Sequence, residues 1–278
     1  MKILVVNPNT TRSMTGKIEA AARAVAWPGT EIIAVNPAMG PVSIEGYYDE
    51  AFCVPGLIEE VRKGADSGAE GFVIACFDDP GLDAARSITT APVIGIAEAA
   101  MHTAALVGRS FSVVGTPARA VATIEHLALR YGFERHCRGV CAAEFSVLAL
   151  EDPKSDAIQL LKSDIRRVVS EGRPDSIILG CAGIAGLSKA LSHEFDLPVI
   201  DGVIAAVKLT ESLAGLGIGT SKANSYAPPA AQTLYRDLRP ARAARPRGGL
   251  NACHGRRTPR AGTAGCERGD HRRCRPAR

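Results

Sequence analysis

No stretch of this 278-residue chain approaches the ~18–20 consecutive apolar residues that a bilayer-crossing helix needs, so no membrane partner is expected. The opening Met1-Lys-Ile-Leu-Val-Val6 is too short for a signal peptide and reads as a first strand. The expected compartment is therefore the cytoplasm, where thiols stay reduced. A glycine-rich nucleotide loop, an HExxH pair and a paired-carboxylate motif are also missing. No metal site and no organic cofactor are expected. Lysine is absent from residues 229–278, which carry 13 Arg against 3 acidic residues. The formal charge of +4 therefore belongs to this tail, because residues 1–228 hold 20 Lys and Arg against 26 Asp and Glu. A body of net negative charge gives no reason to expect nucleic acid as a partner.

The tail is built largely from Arg, Ala, Gly and Pro and lacks sustained apolar periodicity, so it is expected to be disordered. Its Arg density also suits a nucleic-acid-binding arm. Cys253, His254, Cys266, His271 and Cys274 fit no compact zinc-ligand spacing. The composition reads best as an out-of-frame or otherwise non-native end of a GC-rich coding region, which resequencing would test.

What is present is a regular alternation of strand and helix signals. Strands are expected at Ile3–Val6, Glu31–Val35, up to Cys76, at Val93–Ile96, Phe111–Gly115, 138–143, 176–180 and 198–201. Helices are expected over Met14–Val25, Asp49–Gly64, around Asp83–Ser87, and over 97–107, 119–131, 155–171 and 203–213. Pro55 is expected to start a fresh turn rather than to sit inside a helix. The order predicts an α/β fold with parallel sheets flanked by helices.

The chain also repeats itself. Ile3-Leu-Val-Val-Asn-Pro8 resembles Phe111-Ser-Val-Val-Gly-Thr-Pro117, and Pro92-Val-Ile-Gly-Ile96 resembles Pro198-Val-Ile-Asp-Gly202. Cys76 and Cys181 fall at nearly the same offset, each at the end of an apolar strand. Two lobes related by a pseudo-twofold axis follow: residues 1–97 plus 203–228, and residues 98–202, with 229–278 as the tail. Ligands of parallel sheets bind at the carboxyl ends of the strands. The two cysteines are thus expected on opposite walls of one cleft between the lobes.

A disulfide or a pair of core thiols would be the unreactive alternative, and the core reading stands for Cys53, Cys137 and Cys141, which have no repeat partner. Two opposed thiols can do more. One thiolate removes a proton from a carbon, and the opposite thiol returns one to the other face, which inverts that carbon. A helix N-terminus downstream of each cysteine is expected to lower its pKa. Gly115-Thr116 and Ala182-Gly183 are placed to offer backbone N–H donors to a developing oxyanion. Asp78 and Asp79 suit two readings equally: orienting Cys76 or binding a ring N–H of a ligand, or capping the next helix; Asp201 suits a supporting group behind the site or an N-cap before Gly202.

Asn7-Pro-Asn-Thr10, Pro41-Val-Ser-Ile-Glu-Gly46, Ile74-Ala-Cys76-Phe-Asp-Asp-Pro-Gly81, Leu179-Gly-Cys181-Ala-Gly183 and Pro198-Val-Ile-Asp-Gly-Val203 occur in order. Together they resemble the aspartate/glutamate/hydantoin racemase superfamily, and within it the hydantoin racemases. The resemblance covers residues 1–228 and leaves the tail without a counterpart. It implies cofactor-independent, two-base racemisation of 5-monosubstituted hydantoins with Cys76 and Cys181 as the acid/base pair. It further implies Asn7, Ser43, Thr116 and Gly183 as ligand contacts. A homo-oligomer is the expected assembly, with a small molecule as the only other partner. Amino-acid racemases of the superfamily carry Asn-Thr after the first cysteine, whereas Phe77-Asp78 stands here. That departure favours a neutral ring over a free amino acid. Allantoin, itself a 5-ureido hydantoin, is the near alternative. An amino-acid racemase, a decarboxylase using one cysteine and a non-catalytic binding protein are the remaining ones.

Overall fold

A computed structural model of the chain describes residues 1–143, 145–152 and 154–230. The tail, with its expected disorder and its three cysteines, lies outside the described residues from 231 onward.

Among the described residues, eight strands form two parallel sheets of four. The first contains β1 (Lys2–Val6), β2 (Glu31–Val35), β3 (Gly71–Ile74) and β4 (Val93–Gly95), in the order β2-β1-β3-β4. The second contains β5 (Phe111–Pro117), β6 (Cys137–Ala143), β7 (Ser176–Leu179) and β8 (Val199–Asp201), in the order β6-β5-β7-β8. The internal repeat thus becomes two sheets of identical topology. Their helices are α1 (Arg12–Val25), α2 (Tyr47–Asp66), α3 (Leu82–Ile88) and α4 (Ile96–Val107), then α5 (Val121–Arg130), α6 (Ala157–Gly172), α7 (Ser188–Phe195) and α8 (Gly202–Gly215).

Strands buried on both faces need apolar residues at every position, and their two-residue period divides those residues between two cores. Ile3, Val5, Val73 and Ala75 point into a core shared with Val113, Ile178 and helices α1, α4, α5 and α8. Leu4, Val6, Phe72 and Ile74 point the other way, onto Leu57 and Val61 of α2 and Leu82 and Ala85 of α3. Val114, Ile177 and Leu179 repeat this on the second sheet, against Leu161 and Ile165 of α6 and Leu191 of α7. Each such buried Leu or Ile contributes about 1.5–3 kcal/mol by leaving water. Helices α4 and α8 are exchanged between sheets. The first follows β4 but packs on β7, β8 and α5, while the second follows β8 but packs on β3, β4 and α1. This exchange draws the carboxyl ends of both sheets toward one cleft.

One expectation needs correction, and one helix has no counterpart among the expected ones. Pro55 does not open a new turn, because it sits inside the continuous 20-residue helix α2. That helix buries Cys53 before the proline and Leu57 and Val61 after it on one face, so packing offsets the single backbone hydrogen bond that proline removes. Helix α7, only eight residues long with one buried residue, Leu191, carries too little periodicity to be read from the sequence.

Candidate active site

The site grows from two equivalent strand junctions. In the first sheet Val6 pairs with Ile74, and the N–H of Ala75 donates to the Val6 carbonyl at 2.8 Å. In the second sheet Val114 pairs with Leu179, and the N–H of Gly180 donates to the Val114 carbonyl, also at 2.8 Å. One residue further on stand Cys76 and Cys181. After each comes the same turn. The Asp79 N–H donates to the Cys76 carbonyl at 3.1 Å, and the Ile184 N–H donates to the Cys181 carbonyl at 3.4 Å. The Gly183 N–H also points at the Cys181 sulfur, at 3.3 Å. The Asp78 N–H takes the corresponding role at Cys76.

Both cysteines line one narrow cleft with walls from both sheets. Thr116 and Gly183 line it as well. Asn7 and Ser43 do not. Asn7 is 1% exposed, and its amide nitrogen donates to Asn9 Oδ1 at 2.9 Å and Thr15 Oγ1 at 3.0 Å, which holds the loop that presents Asn9 to the cleft. The Ser43 hydroxyl donates to Glu45 at 3.1 Å, while its neighbour Ile44 reaches the cleft. A short loop has no period to read from sequence, so both expected contacts lie one or two residues from the lining side chain. Met14, Phe77, Pro117, Ala120 and Val147 complete a mostly apolar surface.

Thr116 owes its placement to a bulge. The register of β5 against β6 shifts between Val114 and Thr116, at Gly115, whose φ of +86° lies in the left-handed region that glycine tolerates. The Thr116 hydroxyl is 1% exposed and has no hydrogen-bond partner among the described residues. A buried, unpaired hydroxyl on a cleft wall is a ready ligand contact.

The electrostatics differ from the sequence expectation. Burial pushes the Cys76 thiol well above the ordinary range, and the carboxylate of Asp78 and the thiols of Cys53 and Cys181 add to it, against the Asp78 N–H. Burial likewise pushes Cys181 up to about 11, with the Gly183 N–H opposing and Asp78, Glu45 and Glu151 adding. No long helix begins at either sulfur to lower these values. Helix α3 starts only at Leu82, and a single 3-10 turn, Ala182–Ile184, follows Cys181. Both thiols are therefore protonated at rest. Asp78, 6% exposed on the cleft wall, is pushed up to about 7 by burial and by the nearby charges of Glu50 and Asp79.

Asp79 and Asp201 support the two junctions in opposite ways. Asp201 ends β8 and caps α8, accepting from Val203 N–H at 2.9 Å and Ile204 N–H at 3.3 Å, and from Gly186 N–H of the Cys181 loop at 2.6 Å. The equivalent strand-end position in the first sheet is Gly95. There Asp79 reaches across from the Cys76 loop, accepting from Ala97 N–H at 3.1 Å, Glu98 N–H at 2.9 Å and the Tyr131 hydroxyl at 2.8 Å. Asp79 therefore caps α4 rather than the helix that follows it in sequence.

The chain matches the family model described as Asp/Glu/Hydantoin racemase over residues 3–210. It is 48% identical over 229 residues to a hydantoin racemase of Rhizobium meliloti, covering 82% of this chain and 95% of that one. A hydantoin racemase of Pseudomonas sp. (strain NS671) is 45% identical over 226 residues, covering 81% and 91%. Among solved structures, allantoin racemase from Klebsiella pneumoniae superposes with a TM-score of 0.83 at 48% identity, covering 84% of this chain and 96% of that one. With cysteines ending matched strands on two sheets of one topology, and with these relatives, the chain belongs to the Asp/Glu/Hydantoin racemase family.

Proposed function

We propose that the chain racemises 5-monosubstituted hydantoins by two-base proton transfer at C5, with Cys76 and Cys181 as the bases. The observation that carries this reading is the pair of cysteines at equivalent strand ends, lining one mostly apolar cleft. The C5 hydrogen of a hydantoin lies next to a carbonyl, so its removal leaves a carbanion delocalised onto that oxygen. One cysteine as thiolate takes the C5 proton and becomes a thiol. The other, as thiol, gives its proton to the opposite face and becomes a thiolate. The exchange balances without a metal, an oxidant or an organic cofactor. The unpaired Thr116 hydroxyl and the cleft-lining backbone N–H of Gly183, which at rest points at the Cys181 sulfur, are the donors assigned to the ring carbonyls. Release of the inverted product leaves the two thiols in exchanged protonation states, and proton exchange resets them.

Allantoin is the second reading, favoured by the likeness to a solved protein named allantoin racemase. Polarimetry on pure enantiomers of 5-benzylhydantoin, 5-isopropylhydantoin and allantoin, without added cofactor, separates the two. Cys76→Ser and Cys181→Ser are each expected to abolish loss of rotation, and racemisation at the wild-type rate by both single variants would dismiss the two-base reading. Ligand-dependent stabilisation without deuterium uptake at C5 would instead indicate a binding protein. The proposal also holds that the protein is a cytoplasmic homo-oligomer, which size-exclusion chromatography with light scattering and fractionation test. No helix among the described residues is long and apolar enough to cross a membrane.

A further inference from the structure

The two cysteine junctions match in backbone, and among the side chains that differ around them one carries charge. Two residues after Cys181 stands Gly183, which presents bare backbone; two residues after Cys76 stands Asp78, which presents a carboxylate. Asp78 is 6% exposed and lines the cleft, and its carboxylate accepts no hydrogen bond and meets no cation among the described residues. The ionisable groups around it are the carboxyls of Glu50 and Asp79 and the thiols of Cys53, Cys76 and Cys181, and none of these brings a positive charge. Its oxygens therefore open to the cleft, where a ligand that excludes water has to supply the donor in its place.

We propose that Asp78 is the residue that selects the substrate class: it accepts a hydrogen bond from a ring N–H of the cyclic ureide and repels any ligand that carries a carboxylate of its own. This rests on the hydantoin reading above and deepens it. A neutral five-membered ring with an N–H beside its reacting carbon fills the missing donor. A free amino acid or a ring-opened ureido acid brings a second negative charge into a cleft that already holds Asp78, with Glu45 and Glu50 nearby. Discrimination of this kind combines one attractive and one repulsive contact at a single atom group.

The test uses unsubstituted hydantoin, which is achiral and so binds without any net reaction, and measures binding by calorimetry. Its 1-methyl and 3-methyl derivatives each lack one ring N–H. At a pH well above 7, where Asp78 is ionised, wild type is expected to bind hydantoin and to lose about tenfold or more for one of the two methyl derivatives, the range for a hydrogen bond to a charged acceptor. In Asp78→Asn, hydantoin itself weakens about tenfold and most of that methylation penalty disappears, as a chemical double-mutant cycle requires. Hydantoic acid, the ring-opened carboxylate, is expected not to bind wild type and to bind Asp78→Asn. Asp78→Ala is the second variant and shares these outcomes. A methylation penalty unchanged in both variants, equal exclusion of hydantoic acid by wild type and variants, or no binding of hydantoin by wild type would each overturn the assignment. Because the readout is binding, loss of the racemase reading by polarimetry leaves it standing or falling on its own.

Discussion

Moving the cap of α4 from one strand to the other tests whether Asp79 and Asp201 do equivalent work. Asp79 is held at a left-handed φ of +45°, where a residue with a Cβ is strained, and its carboxylate satisfies two backbone N–H groups and the Tyr131 hydroxyl. Asp79→Gly relieves the strain, worth about 1–2 kcal/mol, but strands one buried donor, costing ~1–3 kcal/mol, and two part-buried ones that water reaches in part, costing about 1 kcal/mol each. The net expectation is a loss of about 1–4 kcal/mol. Gly95→Asp alone fails for a different reason. A Cβ at Gly95 would lie 2.3 Å from the Asp79 carboxyl carbon, so the new side chain collides with the existing carboxylate and repeats its charge. Overpacking of this kind costs about 1–3 kcal/mol before the charge repulsion is added.

The double variant Asp79→Gly/Gly95→Asp removes both faults. Gly95 has φ −82° and ψ 146°, close to the −97° and 120° of Asp201, so an aspartate there is aimed at the α4 N-terminus as Asp201 is aimed at α8. Only the Tyr131 hydroxyl is left to find water. The double variant is expected to fall within about 1–2 kcal/mol of wild type, a favourable coupling of about 3 kcal/mol, at the upper end for residues in contact. Urea unfolding of the four proteins measures this, with polarimetric rates alongside, since the same turn carries Cys76. If the two single losses simply add, the capping argument is wrong.

Two further outcomes follow from the site. Racemisation needs one thiolate and one thiol, and both thiols are held protonated at neutral pH, with Cys181 at about 11. The rate constant kcat/KM is therefore expected to rise with pH from neutrality to the alkaline limit of folding. Removing the negative charge that raises both thiols, by Asp78→Asn, is expected to move that rising limb to lower pH. An unmoved limb in the pH profile, or one moved upward, would refute the electrostatic assignment. Gly183→Ala places a methyl 3.1 Å from Leu150 Cδ1 and 3.5 Å from the Cys181 sulfur, inside the cleft. It is expected to raise KM several-fold with little change in melting temperature, and a KM equal to wild type would remove Gly183 from the ligand contacts.

Much of the fold, and the paired thiols within it, is legible in the residue pattern alone. Short apolar runs such as Ile3–Val6 and Ile177–Leu179, bounded by turn signals, specify strands covered on both faces, because each face of such a strand meets a core. The offset between repeats places Cys76 and Cys181 at equivalent junctions, and parallel topology turns that into opposite walls of one cleft. The misses share a cause. Asn7 and Asn9 sit in the same loop and have the same chemistry, and which of them faces the cleft depends on the Thr11 and Thr15 contacts across the first turn of α1. Pro55 reads as a helix boundary because its local cost is visible in sequence, while the packing of α2 that offsets it is not.

The sequence by itself determined the two-sheet α/β architecture, the repeat and the identity of the paired thiols, since these depend on residue periodicity and spacing along the chain. The tertiary structure alone decided how those thiols titrate, that Asp79 caps α4 in the place where Asp201 caps α8, and that Asp78 sets a charge beside one of the two cysteine junctions. Burial and unpaired charge are properties of what surrounds a group in space, and most of what surrounds these groups comes from distant parts of the chain.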